Sequence, residues 1–203
     1  MNRPFPPSAP ADPVWENEVY GKGTFVRCPY DQVATFVFRN LPSKPRRDIH
    51  ILEAGCGPGN NLWFLNQEGF ACSGFDGSPT AIEYAKVRCG SGVELKVAEF
   101  PKVPFDGSFD LVIERAAICY VPFDVAKQTV ANIRNVLVPG GRFLFTPYSG
   151  QAENFGNCCY YTRDMIEDMF RDWKILQLHH MSVEAAFGEK FYSAEWRLWA
   201  ERV

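Results

Sequence analysis

A short glycine-rich stretch constrains the fold of this chain more than any other part of its sequence. The run 49–52 is apolar except for one histidine and predicts a buried strand, and Gly55, Gly57 and Gly59 follow at alternate positions before a helix predicted to begin near Asn60. Glycine has no Cβ, so the backbone can adopt positive φ angles and approach a ligand closely. The first amides of the helix would offer unpaired donors to that ligand. The pattern therefore predicts a strand, a ligand-binding turn and a helix of an α/β fold.

The spacing of the glycines distinguishes between two kinds of cofactor. A dinucleotide-binding turn has the spacing G-x-G-x-x-G, with the pyrophosphate on the helix N-terminus. Here the third glycine comes one residue early, and Asn60 stands where a dinucleotide turn has its third glycine. Glu53 lies two positions before the first glycine. A carboxylate there can pair with a cation. An NAD-dependent oxidoreductase stays an alternative, but this spacing disfavours it.

The E-x-G-x-G-x-G pattern resembles the first motif of the class I S-adenosylmethionine-dependent methyltransferases, of the small-molecule type 11 or type 25. The resemblance implies that the turn packs against the amino-acid part of S-adenosylmethionine, and that Glu53 anchors the turn or the ammonium group of the ligand. It places Cys56 and Asn60 in the same cofactor site. S-adenosyl-L-homocysteine would be the product.

Strands and helices alternate after this turn, which predicts a parallel sheet with helices on both faces. The predicted strands are 48–53, 70–75, 93–98, 109–113, 142–146, about 173–183 and about 191–202, and the predicted helices are 30–40, 60–68, 78–88, 123–137 and 162–171. The last two strands are joined by the short connection 187–190, which forces an antiparallel pair. We therefore expect an α/β, Rossmann-like, doubly wound sheet of seven strands, mostly parallel, with an antiparallel C-terminal strand pair. The resemblance implies the same architecture.

The end of the second predicted strand offers a group for the ribose. Asp76 follows the glycine turn by about the 20 residues expected of an acidic residue that binds ribose hydroxyls, and a carboxylate can accept two hydrogen bonds from a diol. Gly77 and Ser78 complete this turn. The alternative is that Ser78 caps the next helix and Asp76 is only solvated. The two interpretations are compatible.

Further landmarks extend the resemblance over residues 49–147. Glu99 precedes a Pro-Phe pair, and the family implies that its side chain accepts from the adenine amino group while the backbone amide of Phe100 donates to the ring. The family more often has alanine than phenylalanine there, and an exposed Glu99 without a role stays an alternative. Glu114 ends the fourth strand and should face the transferable methyl group. The run 139–141 resembles a family turn that stops a helix and starts strand five.

Few side chains are candidates for catalysis. The cofactor is already activated, so the protein must mainly align the reactants and exclude water, and a base is needed only for an acceptor that is protonated at neutral pH. Candidates are Glu114, Tyr148, His179 and His180. The two histidines alternate faces of a strand, so at most one points toward any site. A surface or core role stays an alternative for each of them.

The N-terminal region is expected to contribute to the site without belonging to the sheet. Residues 1–13 are proline-rich and predict a flexible tail, and 14–203 predict a single domain with an N-terminal helical lid at 14–42. Arg27 or Lys22 of this lid would pair with the carboxylate of the methionine part. Packing of the lid aromatics on the sheet is the alternative.

Composition disfavours several classes of binding partner. The formal net charge of −3 and the pI of about 5.7 give no general attraction to nucleic acid or to an anionic membrane. The seven cysteines have no C-x-x-C spacing, so we expect reduced thiols, no metal site and a cytoplasmic protein. A small-molecule acceptor is the default prediction. A non-catalytic S-adenosylmethionine sensor or partner subunit stays the alternative.

Overall fold

The computed structural model describes residues 13–150, 158–184 and 192–203. Within them, seven strands form one sheet: β1 (His50–Ala54), β2 (Ala71–Asp76), β3 (Val93–Val97), β4 (Phe109–Arg115), β5 (Leu137–Thr146), β6 (Trp173–Glu184) and β7 (Tyr192–Arg202). Their order is β3-β2-β1-β4-β5-β7-β6. Strands β1 to β5 pair in parallel, whereas β7 is antiparallel to both β5 and β6. This confirms the predicted fold, with the antiparallel strand inserted one place inside the sheet edge.

Helices cover both faces of the sheet. They are a π-helical segment (Trp15–Tyr20), α1 (Asp31–Arg39), α2 (Asn60–Gln67), α3 (Pro79–Cys89), α4 (Phe123–Val136) and α5 (Arg163–Met169), with short 3-10 turns at Arg46–Asp48, Gly90–Gly92 and Ile118–Tyr120. Leu52 and Ala54 of β1 lie in one apolar cluster with residues of α4 and α5, whereas Ile51 lies in a second cluster with residues of α1, α2 and α3. Successive side chains of a strand point to opposite faces. Coverage on both faces explains why the central strands β1 and β4 are buried along nearly their whole length.

Strand β5 differs from the prediction. Helix α4 ends directly before Leu137 and the strand begins there, five residues before the predicted start at 142. Phe109 pairs with Leu137, but Leu111 pairs with Arg142, so the intervening Pro-Gly-Gly run loops out of the strand. Gly140 in this loop has a φ of 76°. The run therefore interrupts strand pairing instead of separating helix from strand, because proline lacks an amide donor and a positive φ breaks the pleat.

A crevice forms where the strand order reverses. The chain moves outward from β1 to β2 and β3, and then outward in the other direction from β4. Open α/β sheets bind ligands outside the carboxyl ends of the strands at this point. The glycine turn follows β1 here. Ala116 follows β4 with a φ of 54°, a strained conformation for a residue with a Cβ.

Three sequence expectations bear on what this fold contains. No helix of the described ranges is long and apolar enough to cross a membrane, and no group of three or more metal-ligating side chains occurs there. None of the seven cysteines, all of which lie in the described ranges, forms a disulfide. The predicted connection 187–190 and residues 1–12 of the predicted tail lie outside the described residues.

Candidate functional site

The glycine turn has no room for side chains. Gly55 has a φ of 71°, and a Cβ added there would overlap the Cβ of Ala117. Gly57 has a φ of 50°, and a Cβ there would lie 2.8 Å from the hydroxyl oxygen of Tyr20. Gly59 is left-handed and precedes α2. Both backbone conformation and close approach therefore require glycine.

This turn opens onto a cavity of about 880 Å³, a volume in the range that holds small organic ligands. The predicted cofactor-binding residues that line the cavity are Glu53, Gly55, Cys56, Gly57, Asn60, Asp76, Gly77, Ser78, Glu99 and Phe100. Glu114 and Arg27, which were predicted with them, are not among the lining residues. The fold thus brings together ten of the twelve predicted positions, and their roles toward a cofactor stay predictions.

Glu53 presents a buried oxygen without a partner. The residue is 2% exposed, and its Oε1 accepts a hydrogen bond of 2.6 Å from Nδ2 of Asn61. Its Oε2 has no hydrogen-bond partner among the described residues. Asn61 in turn accepts from the backbone amide of Tyr30 over 2.9 Å. Burial raises the pKa of Glu53 to about 8. A buried polar oxygen is costly unless it is paired, so Oε2 suits a cationic group of a ligand such as the ammonium of S-adenosylmethionine.

Asp76 fastens the glycine turn to the start of α3. Its Oδ2 accepts from the amide of Gly57 over 2.8 Å and its Oδ1 from the amide of Ser78 over 2.9 Å. Ser78 also caps α3 by accepting from the amide of Ala81 over 3.0 Å. Burial raises the pKa of Asp76. Each carboxylate oxygen keeps acceptor capacity for a ligand, so structural and ribose-binding roles are compatible.

The far end of the cavity is suited to a flat ring. Glu99 is exposed and Phe100 is half-buried, and both follow β3. The Phe100 ring packs edge-on against Phe75, with centroids 5.7 Å apart. Phe100 therefore supplies an apolar wall next to its own amide, where the family more often has alanine.

The N-terminal segment forms the opposite wall of the cavity. Glu16 accepts from the hydroxyl of Ser78 and, over 2.6 Å, from the hydroxyl of Thr80. These hydrogen bonds lower the pKa of Glu16. Trp15 packs edge-on against Tyr120, with centroids 4.8 Å apart. Sequence reasoning missed Glu16 because its partners lie more than sixty positions away in the chain, so no local pattern marks it.

The predicted lid cations do not line the cavity. Arg27 is exposed, and Lys22 pairs with Glu18 on the surface of the segment. Arg115, at the end of β4, lines the cavity instead. The sequence analysis predicted Glu114 at this strand end as a site residue and passed over the adjacent Arg115, although their shared position could have signalled it.

Glu114 supports the turn after β4. It is fully buried, and its Oε1 accepts from the amides of Ala117 over 2.7 Å and Ile118 over 2.8 Å. Burial raises its pKa to about 7, while these bonds act in the opposite direction. A carboxylate at this position orders the backbone that lines the cavity. Its predicted role as a base stays a prediction.

The other catalytic candidates lie in different places. Tyr148 lines the main cavity, and burial raises its pKa. His179 lines a second cavity of about 200 Å³ together with Gln32 and Arg197. His180 makes a 2.7 Å hydrogen bond between its Nε2 and the hydroxyl of Ser149. Tyr148 is therefore the one of these three that the fold places beside the glycine turn.

Comparison with known proteins agrees with this geometry. Residues 51–141, which are somewhat less than half of the chain, match the family model described as a methyltransferase domain. The "Putative methyltransferase YqeM" of Bacillus subtilis is 28% identical over 80% of this chain and 69% of its own length. The 2-heptyl-1-hydroxyquinolin-4(1H)-one methyltransferase of Mycobacteroides abscessus is 27% identical over 50% of this chain and 47% of its own length.

A solved structure extends the likeness to nearly the whole fold. The SAM-dependent methyltransferase of Anabaena variabilis superimposes with a TM-score of 0.71 at 15% identity, over 99% of this chain and all of that one. At this identity the likeness shows the fold alone. The family match over residues 51–141 and the likeness to the Bacillus protein agree with the class I S-adenosylmethionine-dependent methyltransferase that the glycine turn predicts.

Proposed function

We propose that this methyltransferase transfers a methyl group to a small organic acceptor that binds between the glycine turn and the N-terminal segment. The observation that carries the proposal is the unpartnered, buried Oε2 of Glu53 beside a turn that has no room for a Cβ. When bound, S-adenosylmethionine supplies a methyl group on a cationic sulfur, and its transfer to a nucleophile leaves S-adenosyl-L-homocysteine.

Each polar group around the turn has one role in this proposal. Glu53 accepts from the ammonium group of the cofactor. Asp76 accepts from the ribose hydroxyls while it holds the amide of Gly57. Glu99 accepts from the adenine amino group, and the amide of Phe100 donates to the ring. The carboxylates fit a cofactor without phosphate, since phosphate would be repelled by them.

The acceptor would lie against aromatic side chains. Trp15, Tyr20, Tyr120 and Tyr148 line the cavity, and Trp15 and Tyr148 both pack edge-on against Tyr120. Aromatic walls favour flat ligands, which stack or pack edge-on with them. The Mycobacteroides relative is named for a quinolone acceptor, which supports a small aromatic molecule as the class to screen here. The chain covers about half of that relative, so its acceptor is a guide only.

The N-terminal segment acts as the lid of the site in this proposal. It contributes Trp15, Tyr20 and Tyr30 to the cavity, and Glu16 ties it to α3. Closing the cavity would exclude water from the reacting atoms and hold the acceptor in line with the methyl group. Residues 14–42 thus serve the same domain as the sheet.

Calorimetric titration with S-adenosylmethionine, S-adenosyl-L-homocysteine and NAD tests the proposal. We expect the first two to bind at micromolar concentrations and NAD not to bind. A screen of small aromatic acceptors then measures release of S-adenosyl-L-homocysteine. Binding of NAD alone, or of none of the three, contradicts the proposal. Binding without turnover on any acceptor class would favour a sensor or partner subunit.

A further inference from the structure

Arg115 is the only arginine or lysine among the described residues that line the main cavity. Four carboxylates share this lining, namely Glu16, Glu53, Asp76 and Glu99. Glu16 and Asp76 are occupied by hydrogen bonds to the protein on both oxygens. A single guanidinium in an otherwise acidic cavity marks the place where an anion would be bound most favourably.

Among the described residues, Arg115 makes no ion pair at hydrogen-bond distance. Its Nε is buried and has no hydrogen-bond partner in the part of the chain that the structure describes. Its Nη2 lies 4.0 Å from Oε2 of Glu195, beyond hydrogen-bond distance, while Oε1 of Glu195 accepts a 2.8 Å hydrogen bond from Nε of Arg197. The guanidinium carbon lies 4.0 Å from the ring centroid of Tyr30, which holds the group in place without using its donors. A buried donor left unpaired is unfavourable, so a ligand oxygen there would be stabilised.

The guanidinium lies between the cofactor side of the cavity and the wall that carries Tyr148. Burial raises the pKa of Glu53 and of Tyr148, and the charge of Arg115 opposes both rises. Glu53 lies on β1, but Glu195 lies on β7, which is on the opposite side of β4 in the strand order. Glu195 also forms an isolated bridge with Tyr148. Arg115 therefore reaches from the end of β4 toward the wall that carries Tyr148, where we have placed the acceptor.

The neighbouring side chains do not supply a ready base. The three histidines of the chain are absent from the lining of the main cavity. Burial raises the pKa of Tyr120 and of Tyr148, so both phenols stay neutral at physiological pH. An acceptor that arrives as an anion needs no base for its own ionisation.

From this arrangement we infer that Arg115 binds an anionic oxygen of the acceptor, so that this chain acts on organic acids rather than on neutral molecules. The inference rests on the proposed function for its cofactor and its acceptor site. Arginine offers two parallel donors to a carboxylate, which a lysine cannot reproduce. Arg115 is thus a residue that determines specificity.

Binding of matched acids and amides tests this inference without requiring the natural acceptor. Benzoate, 3-phenylpropanoate and 1-naphthoate are each compared with their own primary amide, on protein saturated with S-adenosyl-L-homocysteine. We expect at least one acid to bind about tenfold more tightly than its amide, as a charge-assisted hydrogen-bond pair allows. Arg115→Gln should abolish this preference and Arg115→Lys should retain part of it. Arg171→Gln, on the surface after α5, is the matched control and should change nothing.

Two other results would overturn the inference. One is an equal affinity for acids and amides in the wild-type protein, or a preference that survives Arg115→Gln. The other concerns the carboxylate of the cofactor: if Arg115→Gln weakens S-adenosyl-L-homocysteine but not 5′-methylthioadenosine, which lacks the amino-acid part, then Arg115 serves the cofactor. Melting curves of both Arg115 variants check folding. If the wild-type protein does not bind S-adenosyl-L-homocysteine at all, the proposed function fails instead.

Discussion

The two halves of the main cavity are built differently. The proposed cofactor half consists of Glu53, the glycine turn, Asp76 and Glu99. It comes from the single stretch 53–100, in which Glu53 and Asn61 are eight residues apart. The acceptor half draws on the N-terminal segment, the turn after β4 and the end of β5. The cofactor half therefore depends on backbone conformation and near neighbours in the chain. The acceptor half depends on side chains that only the complete fold brings together.

The largest loss of cofactor affinity is expected from a substitution in the cofactor half that both strains the backbone and creates a steric overlap. Gly55→Ala places a Cβ on that of Ala117, and we expect at least a hundredfold loss of S-adenosyl-L-homocysteine affinity, or about 3 kcal/mol. Gly140→Ala is the matched control, because its φ of 76° is close to the 71° of Gly55 but nothing lies within 4 Å of its Cβ position. Gly140→Ala should lower the free energy of unfolding by only about 1–2 kcal/mol, which is the cost of placing a Cβ on a residue with positive φ. Calorimetry and thermal unfolding measure both.

Removing the carboxylate of Asp76 should cost less. Asp76→Ala leaves the amides of Gly57 and Ser78 without their acceptors and removes the proposed ribose contact. We expect cofactor binding to weaken by about 1–3 kcal/mol. Unchanged affinity by calorimetry would remove Asp76 from the site and would leave it a structural residue only.

The charge of Glu53 should appear in the pH dependence of binding. Burial raises the pKa of Glu53 in the free protein to about 8, so below that pH most of the carboxyl group is protonated. It must lose this proton before it can pair with an ammonium group. Affinity for S-adenosyl-L-homocysteine should therefore rise from pH 6 to pH 8, by up to about tenfold per unit. Glu53→Gln should weaken binding at pH 8 by about tenfold and flatten the profile, whereas Glu83→Gln on the surface of α3 should do neither. A parallel pH profile in wild type and Glu53→Gln would contradict the role of Glu53.

A smaller effect is expected from weakening the contacts that hold the N-terminal segment on α3. Glu16→Gln weakens the contacts with Ser78 and Thr80, so amide hydrogen exchange in residues 13–30 should accelerate while the sheet is unaffected. Since these contacts lower the pKa of Glu16, their contribution is present above its ordinary pKa and is lost as the pH falls through the lowered value. Glu18→Gln on the same segment is the control. Equal exchange in both variants would show that Glu16 does not fasten the segment.

The smallest effect on cofactor affinity is expected from substitution of Glu114. Glutamine can still accept from the amides of Ala117 and Ile118, so Glu114→Gln should leave cofactor affinity unchanged. Burial raises the pKa of Glu114 to about 7 in the folded protein, so as the pH rises Glu114 loses its proton in the unfolded chain before it does in the folded one. The free energy of unfolding of the wild-type protein should therefore fall between about pH 4.5 and pH 7. Glu114→Gln should reduce this fall in thermal unfolding. On an identified acceptor, a hundredfold loss of turnover would instead support the role of a base.

Local sequence patterns were enough to predict the sheet and to predict residues of the stretch 53–100 that line the main cavity. Alternating apolar strands predicted the order of elements, and the spacing of Gly55 and Gly57 predicted a turn without side chains. The start of β5 was predicted wrongly, because a Pro-Gly-Gly run that ends a helix looks the same as one that interrupts a strand. Glu16 could not be predicted, since its partners lie far away in the chain. Arg115 was missed although it lies next to Glu114 at the end of β4.

A crystal structure of the complex with S-adenosyl-L-homocysteine tests the division of the cavity most directly. We predict that the amino nitrogen of the ligand lies within hydrogen-bond distance of Glu53 Oε2 and its ribose hydroxyls beside Asp76. The guanidinium of Arg115 should make no contact with the ligand. A ligand carboxylate bound by Arg115, or an amino group away from Glu53, would contradict the separation of cofactor and acceptor halves.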